Sequence, residues 1–233
     1  MGNPMEVNLL ALDTSTRAAA LALALADGRL FEAAPDPDRK HGRSLLPAIA
    51  DLLRLARLEV RAIQAIGVGI GPGSYTGLRI GLTAAKTLAY AIGANLVGFD
   101  SLELLAQNAP PEALSVAVIS DAQRDTLYSA DFRRALAGGP LERSTPTRVE
   151  TRQGWLERLE PETLVLGPDL HLLRPPFPAT ILRAPAEAGI PQGRHVAHLA
   201  RTALHSGQVL DPALLEPAYL RASAAEEQWK NLK

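Results

Sequence analysis

The chain has 233 residues, enough for one large domain or two small ones with a buried core. Its 47% apolar and 21% charged content excludes disordered and fibrous classes, and a net charge of -1 argues against an autonomous nucleic-acid binder. Cysteine is absent, which rules out disulfides, thiolate zinc sites and a thiol nucleophile.

The amino terminus, MGNPMEVNLLALDTS, has no basic residue ahead of its short apolar run, and Asp13 closes that run too early for a signal peptide. With no segment of membrane-spanning length, a cytoplasmic protein is expected. Val7 to Leu12 suits a strand buried on both faces, Ala18 to Ala26 a second, and the Asp27-Gly28 turn leads into a third. After the loop APDPDRKHGR, apolar residues recur at helical spacing from Leu45 to Ala56, with Ser44 as the expected N-cap and Pro47 in the first turn. Ala65 to Ile70 reads as a strand and Leu78 to Ile92 as a helix ended by Gly93. Asn95 to Phe99 and Ser101 to Ala109 give one more strand and helix. The first half therefore runs βββαβαβα.

Pro110-Pro111 breaks the chain, and 13 of the 18 prolines lie beyond residue 105. Strands are expected at Ser115 to Ser120, Leu127 to Phe132, Leu164 to Gly167 and Thr180 to Ala184, with a helix in HVAHLARTALHSG. The division expected is a regular lobe over residues 1–106 and a reduced lobe over 107–233 that repeats its opening, with the last segment packing back on the first lobe. In that repeat Asp121 stands at a strand end as Asp13 does.

GPGSYTGLR, the most glycine-rich stretch, is neither a Walker loop nor a dinucleotide fingerprint. Gly71 and Gly77 enclose five residues and Leu78-Arg79 follow, whereas GxGxxG fails against Gly71, Gly73 and Gly77. A strand, tight turn and helix N-terminus remain. Either the glycines serve a structural turn, or Gly71, Gly73, Ser74 and Thr76 contact an anion. Asp13 and Asp121 invite a similar pair of readings, a magnesium or phosphate contact or an Asx-turn. Gly77, Gly81 and Ala84 or Ala85 form a small-residue stripe that suits packing on the domain's own sheet or close approach of another backbone. The histidines form no zinc pattern, and GxSxG is absent.

LALDTST, HGRSLLPAI, IGVGIGPGSYTGLRIGLTAAKTLAYAIGANLVGFDSLELLA, DAQRDTLY and PAYLRASAAEEQW, in this order, resemble the TsaB-type accessory subunit of bacterial tRNA threonylcarbamoyladenosine synthesis. Departures are Gly42, Tyr75 and, in the second-lobe turn, Gln123, Thr126 and Leu127. The resemblance implies an α/β, actin-like and sugar-kinase-like (ribonuclease H-like) two-lobe fold. It also implies a scaffold without catalytic residues that activates a TsaD-type paralogue. That paralogue transfers a threonylcarbamoyl group to adenosine 37 of tRNAs reading codons that begin with A.

The implied interface residues are His41, Leu45, Leu46, Ile49, Gly77, Arg79, Gly81, Leu82, Ala85 and Lys86. The resemblance further implies that a TsaE-type ATPase joins the assembly, that the isolated chain forms a homodimer, and that tRNA is met only through the complex. No cofactor is expected on the chain alone; ATP or ADP with magnesium belongs at the heterodimer boundary, where Asp13, the loop and Asp121 are the candidate contacts. The paralogue's metal motif, GVNHMEGH, aligns with GFDSLELL, placing Ser101 and Leu105 where its histidines stand, so no metal site is expected. The rival reading is an actin-fold Mg-ATP-dependent ATPase or small-molecule kinase.

Overall fold

The computed structural model describes residues 7–35, 41–170 and 178–220. Leu9–Asp13 (β1) is buried at every position because helices cover both faces of its sheet. Alternation divides its side chains: Leu10 and Leu12 enter one core, whereas Leu9 and Ala11 enter the other. β1 pairs antiparallel with Ala20–Ala24 (β2), which pairs antiparallel with Leu30–Ala33 (β3). On its other side β1 takes Ala65–Gly69 (β4) in parallel, and β4 takes Asn95–Phe99 (β5) in parallel.

The leucine-rich face is covered by His41–Ala56 (α1) and Tyr75–Ile92 (α2). Its opposite face is rich in alanine, and Gly193–His205 (α5) packs there, with Ala200 so close that a Cβ on Gly67 would overlap it. Val209–Leu210 (β12) then adds antiparallel to β5, giving the order β12-β5-β4-β1-β2-β3. Residues late in the chain thus complete the first sheet.

The second sheet repeats the plan. Ser115–Gln123 (β6) pairs antiparallel with Thr126–Arg133 (β7), and β7 with Glu142–Arg143 (β8). β6 also pairs in parallel with Leu164–Leu166 (β10), which in turn pairs in parallel with Leu182–Arg183 (β11). Each sheet therefore has an antiparallel meander on one side of its first strand and parallel strands on the other. Ser101–Ala106 (α3) lies between the sheets, with Leu102 and Leu105 packed on Val116, Val118 and Phe132. This is an α/β actin-like two-lobe fold.

The βββαβαβα order of the first half is present. Three details differ. α1 begins at His41 rather than Ser44, so Ser44 is not its N-cap and Pro47 lies in the second turn. The missing Pro47 N–H leaves the carbonyl of Arg43 to solvent, where this residue is exposed. β6 runs through Asp121 to Gln123, and the register shifts between them, so Asp121 sits at a bulge instead of a strand end. The expected strand at Thr180 to Ala184 shrinks to two residues, whereas β8, Arg148–Thr151 (β9), Arg152–Arg158 (α4) and β12 carried no signal strong enough to find. Residues 36–40 of the first loop, and the terminal motif from Arg221 onward, lie outside the described residues.

Candidate functional site

Asp13 ends β1 at 0% exposure, and its acceptors are taken from inside the chain. Oδ1 accepts from the Ser15 amide at 2.9 Å and the Ser15 hydroxyl at 2.6 Å, while Oδ2 accepts from the Ser101 hydroxyl at 2.7 Å. Ser101 Oγ in turn accepts from the Gly71 amide at 3.2 Å. Burial pushes the Asp13 carboxyl above its usual range, outweighing the Ser15 and Ser101 hydrogen bonds that favour the charged form. This enclosure follows from local sequence: a Cβ at Gly69 would overlap Asp13 Oδ2, so only glycine lets β4 pass the carboxylate.

The glycine loop closes on the same turn. The Ser74 amide donates to the Ser15 carbonyl at 2.7 Å, and a Cβ on Gly73 would collide with that carbonyl. Gly71 takes φ +103°, a left-handed conformation suited to glycine. Ser74 is the N-cap of α2, its hydroxyl accepting from Gly77 N at 3.2 Å, so one of the helix's free amides is satisfied internally. Thr76 is exposed beside it. Of the candidate anion contacts, the structure brings Asp13, Gly71, Gly73 and Ser74 together as an interlocked turn. Ser15 and Ser101, which hold it, were missed as a pair; the hydroxyl-rich DTST was the signal for Ser15, and nothing local marks Ser101.

Asp121 belongs to the other sheet. Its Oδ1 accepts from the Gln123 amide at 3.0 Å, matching Asp13 and Ser15, and Arg152 lies 3.8 Å away. Both aspartates are thus Asx-turn residues, as the turn reading anticipated.

The helix pair shows how the expected interface residues sit within this chain. Leu45, Ile49, Gly77, Gly81, Leu82 and Ala85 are all buried within this chain and present little surface of their own. The glycine stripe faces β1 and its turn: a Cβ on Gly77 would overlap the Thr14 carbonyl and one on Gly81 the Thr14 hydroxyl. Thr14 Oγ1 donates to the Gly77 carbonyl at 2.8 Å across this seam. His41 donates from Nε2 to the Thr16 carbonyl at 2.8 Å, anchoring the start of α1. Only Leu46, Arg79 and part of His41 and Lys86 reach the surface. Among the residues that the two helices leave exposed are Leu46 at 56% exposure, Ala50, Thr83, Thr87 and Tyr90 at 86%. Thr83, Thr87 and Tyr90 fall at i, i+4 and i+7 of α2 and carry no charge.

Ser101 and Leu105, the expected positions of the paralogue's imidazoles, are 0% and 1% exposed; Leu105 lies in the core between the sheets. Among the described residues no group of three His, Asp or Glu side chains could hold a metal ion, and no helix is long and apolar enough to cross a membrane.

A family model described as TsaD, tRNA N6-adenosine threonylcarbamoyltransferase, matches residues 35–141. The tRNA threonylcarbamoyladenosine biosynthesis protein TsaB of Bacillus subtilis is 30% identical over 230 residues, covering 96% of this chain and 98% of that protein. The chain belongs to the TsaB family. Its Escherichia coli relative of the same description is 28% identical, covering 97% of this chain and 98% of that one. The fold of the family is shared as well. YeaZ from Pseudomonas aeruginosa superimposes with a TM-score of 0.74 at 28% identity, over 92% of this chain and 100% of that one. A second solved structure, an uncharacterized protein with similarity to peptidase YeaZ from Pseudomonas aeruginosa, gives 0.77 at 30% identity and the same coverage. The span matched by the TsaD model includes Ser101 and Leu105, with no imidazole at either position.

Proposed function

We propose that the chain is a non-catalytic partner subunit in tRNA threonylcarbamoyladenosine biosynthesis, acting in the cytoplasm. It binds a TsaD-type paralogue through the outward face of α1 and α2 and stabilises that subunit's active conformation. The paralogue transfers the threonylcarbamoyl group to adenosine 37 of tRNAs reading codons that begin with A. The observation that carries this reading is Tyr90, 86% exposed on α2 in line with the exposed Arg79, Thr83 and Thr87, with Leu46 of α1 also exposed at 56%. A rigid aromatic left in water on a paired-helix face is the residue type that dominates interface energetics. Because the paralogue shares the fold, its own helix pair meets this one in a pseudo-symmetric four-helix contact. Isolated copies of this chain pair through the same face.

Enclosure of Asp13 supports a partner role over an Mg-ATP-dependent kinase or ATPase, which would need that carboxylate turned to solvent. ATP or ADP with magnesium is assigned to the heterodimer boundary, a TsaE-type ATPase joins there, and tRNA is reached through the assembled complex.

Sedimentation of this chain mixed with the TsaD-type protein of the same organism tests the proposal. A 1:1 complex is expected, and Tyr90→Glu or Leu46→Glu should abolish it with unchanged melting temperature. A complex that survives both changes, or no complex with the unaltered chain, contradicts it.

A further inference from the structure

After β12 the chain runs back along α2. Leu215 packs into the core of the first sheet, and its carbonyl accepts from Lys86 Nζ at 2.9 Å. Three residues on, the Ala218 amide donates to the Ile70 carbonyl at 2.8 Å. Tyr219 then reaches the start of α2, where its hydroxyl accepts from Arg79 Nε at 2.8 Å. The Arg79 guanidinium lies 4.1 Å from the Tyr75 ring centroid and 5.8 Å from that of Tyr219, and the two rings are 5.1 Å apart. Residues 211–220 therefore form a strap antiparallel to α2, pinned at Lys86 and again at Arg79. Two stretches separated by about 140 residues of sequence, GSYTGLR and PAYL, meet here.

This contact does little for the core. Tyr75, Arg79 and Tyr219 are all exposed, and an exposed guanidinium stacked on tyrosines adds little to folding. What it does is remove rotamer freedom from a long cationic side chain on the helix that presents Thr83, Thr87 and Tyr90. Arginine held in one geometry forgoes the ordering cost that a free side chain meets on association.

We propose that Tyr219 is a positioning residue for partner binding: the strap fixes Arg79 against Tyr75 and so completes the partner-facing side of α2. This rests on the helix-face reading above.

The test uses the full chain and the TsaD-type partner, with Tyr219→Ala, Tyr219→Phe, Arg79→Ala and the double variant Tyr219→Ala/Arg79→Ala. Calorimetric titration should show Tyr219→Ala and Arg79→Ala each weakening affinity about tenfold, the size of effect that only a minority of interface residues reach. The double variant should be no weaker than Arg79→Ala alone, because Tyr219 acts through Arg79. Tyr219→Phe keeps the ring and deletes the bond to Nε; it should lose about threefold in affinity. Its Arg79 Nε–H proton, read by NMR in the free chain, should also exchange faster.

Unchanged affinity in Tyr219→Ala, or additive losses in the double variant, overturns the proposal. If Tyr219→Ala fails to fold, the Tyr219→Phe affinity and exchange readings decide alone. Failure of the unaltered chain to bind the partner would overturn the helix-face reading and this proposal with it. Binding of the unaltered chain with no effect of Tyr219 would overturn this proposal alone.

Discussion

Ser101 donates its hydroxyl to Asp13 at 2.7 Å, joining the first residue of α3 to the last of β1. The serine stands where the metal-binding paralogue is expected to place a histidine, and here it serves a buried carboxylate. Replacing it with alanine leaves Asp13 Oδ2 and the Gly71 amide short of a partner. Ser101→Ala should cost ~1–3 kcal/mol. For a chain of this length each kcal/mol lowers the melting temperature by roughly 2–4 °C. Denaturant unfolding checks it, and an unchanged midpoint would mean that the bond is dispensable.

Gly81 tests the direction of the small-residue stripe. Because a Cβ there would overlap Thr14 Oγ1, Gly81→Ala should destabilise folding by ~1–3 kcal/mol, the usual cost of overpacking. Tyr90→Ala, at 86% exposure, should leave stability within ~0.5 kcal/mol and act on partner affinity instead. Thermal melts of the two variants, side by side, separate a packing glycine from a tyrosine that folding does not need.

Asp13 makes stability depend on pH. Its folded-state carboxyl titrates above the ordinary value of 3.8, so the folded chain holds a proton that the unfolded chain has released. That contribution is fully present below the unfolded value and is lost as pH rises through the folded one. Asp13→Asn cannot ionise; its stability relative to the unaltered chain should therefore increase as pH climbs from 4 to 8. A constant difference across that range would show that Asp13 is not shifted.

His195 has the opposite sign. Burial, reinforced by Arg194 and His198 and opposed by Glu32, pulls its imidazole down to about 4. The Asn108 amide nitrogen donates to the Ala188 and Ile190 carbonyls, so Asn108 Oδ1, 3.0 Å from Nδ1, is the acceptor and Nδ1 carries the proton. Nε2 faces Arg194 Nε at 3.3 Å, and a second proton there meets a cation. The unfolded histidine charges near 6.5 while the folded one stays neutral, so stability should fall as pH drops from about 6.5 toward 4. His195→Gln, which keeps a donor for Asn108, should flatten that slope in melts at pH 5 and 7.

The sequence was most informative where short-range chemistry decides structure. Gly93 ends α2 as the left-handed glycine that its residue type announces, whereas the helix begins at Tyr75 behind the Ser74 cap, one turn before the expected Leu78. Asp13 and Asp121 bond the amide two residues on, which their Asx-turn reading contained. What remained hidden depends on contacts between distant segments. The stripe of Gly77 and Gly81 has two faces to choose from, and only the position of Thr14, more than 60 residues earlier, selects the inner one. The His41 ring nitrogen finds the Thr16 carbonyl, an anchor of α1 with no local signature. β12 and the strap are two-residue and irregular segments whose partners, β5 and α2, lie over 100 residues away.

The proposed role, activation of a catalytic paralogue by a chain without chemistry of its own, is open to direct assay. The direct measurement is threonylcarbamoyl incorporation into tRNA by the TsaD-type protein, with its adenylate-forming enzyme and TsaE-type ATPase supplied, in the presence and absence of this chain. Incorporation is predicted to require the unaltered chain, to be lost with Tyr90→Glu, and to survive Thr76→Ala in the exposed turn. Full incorporation without the chain would contradict the account.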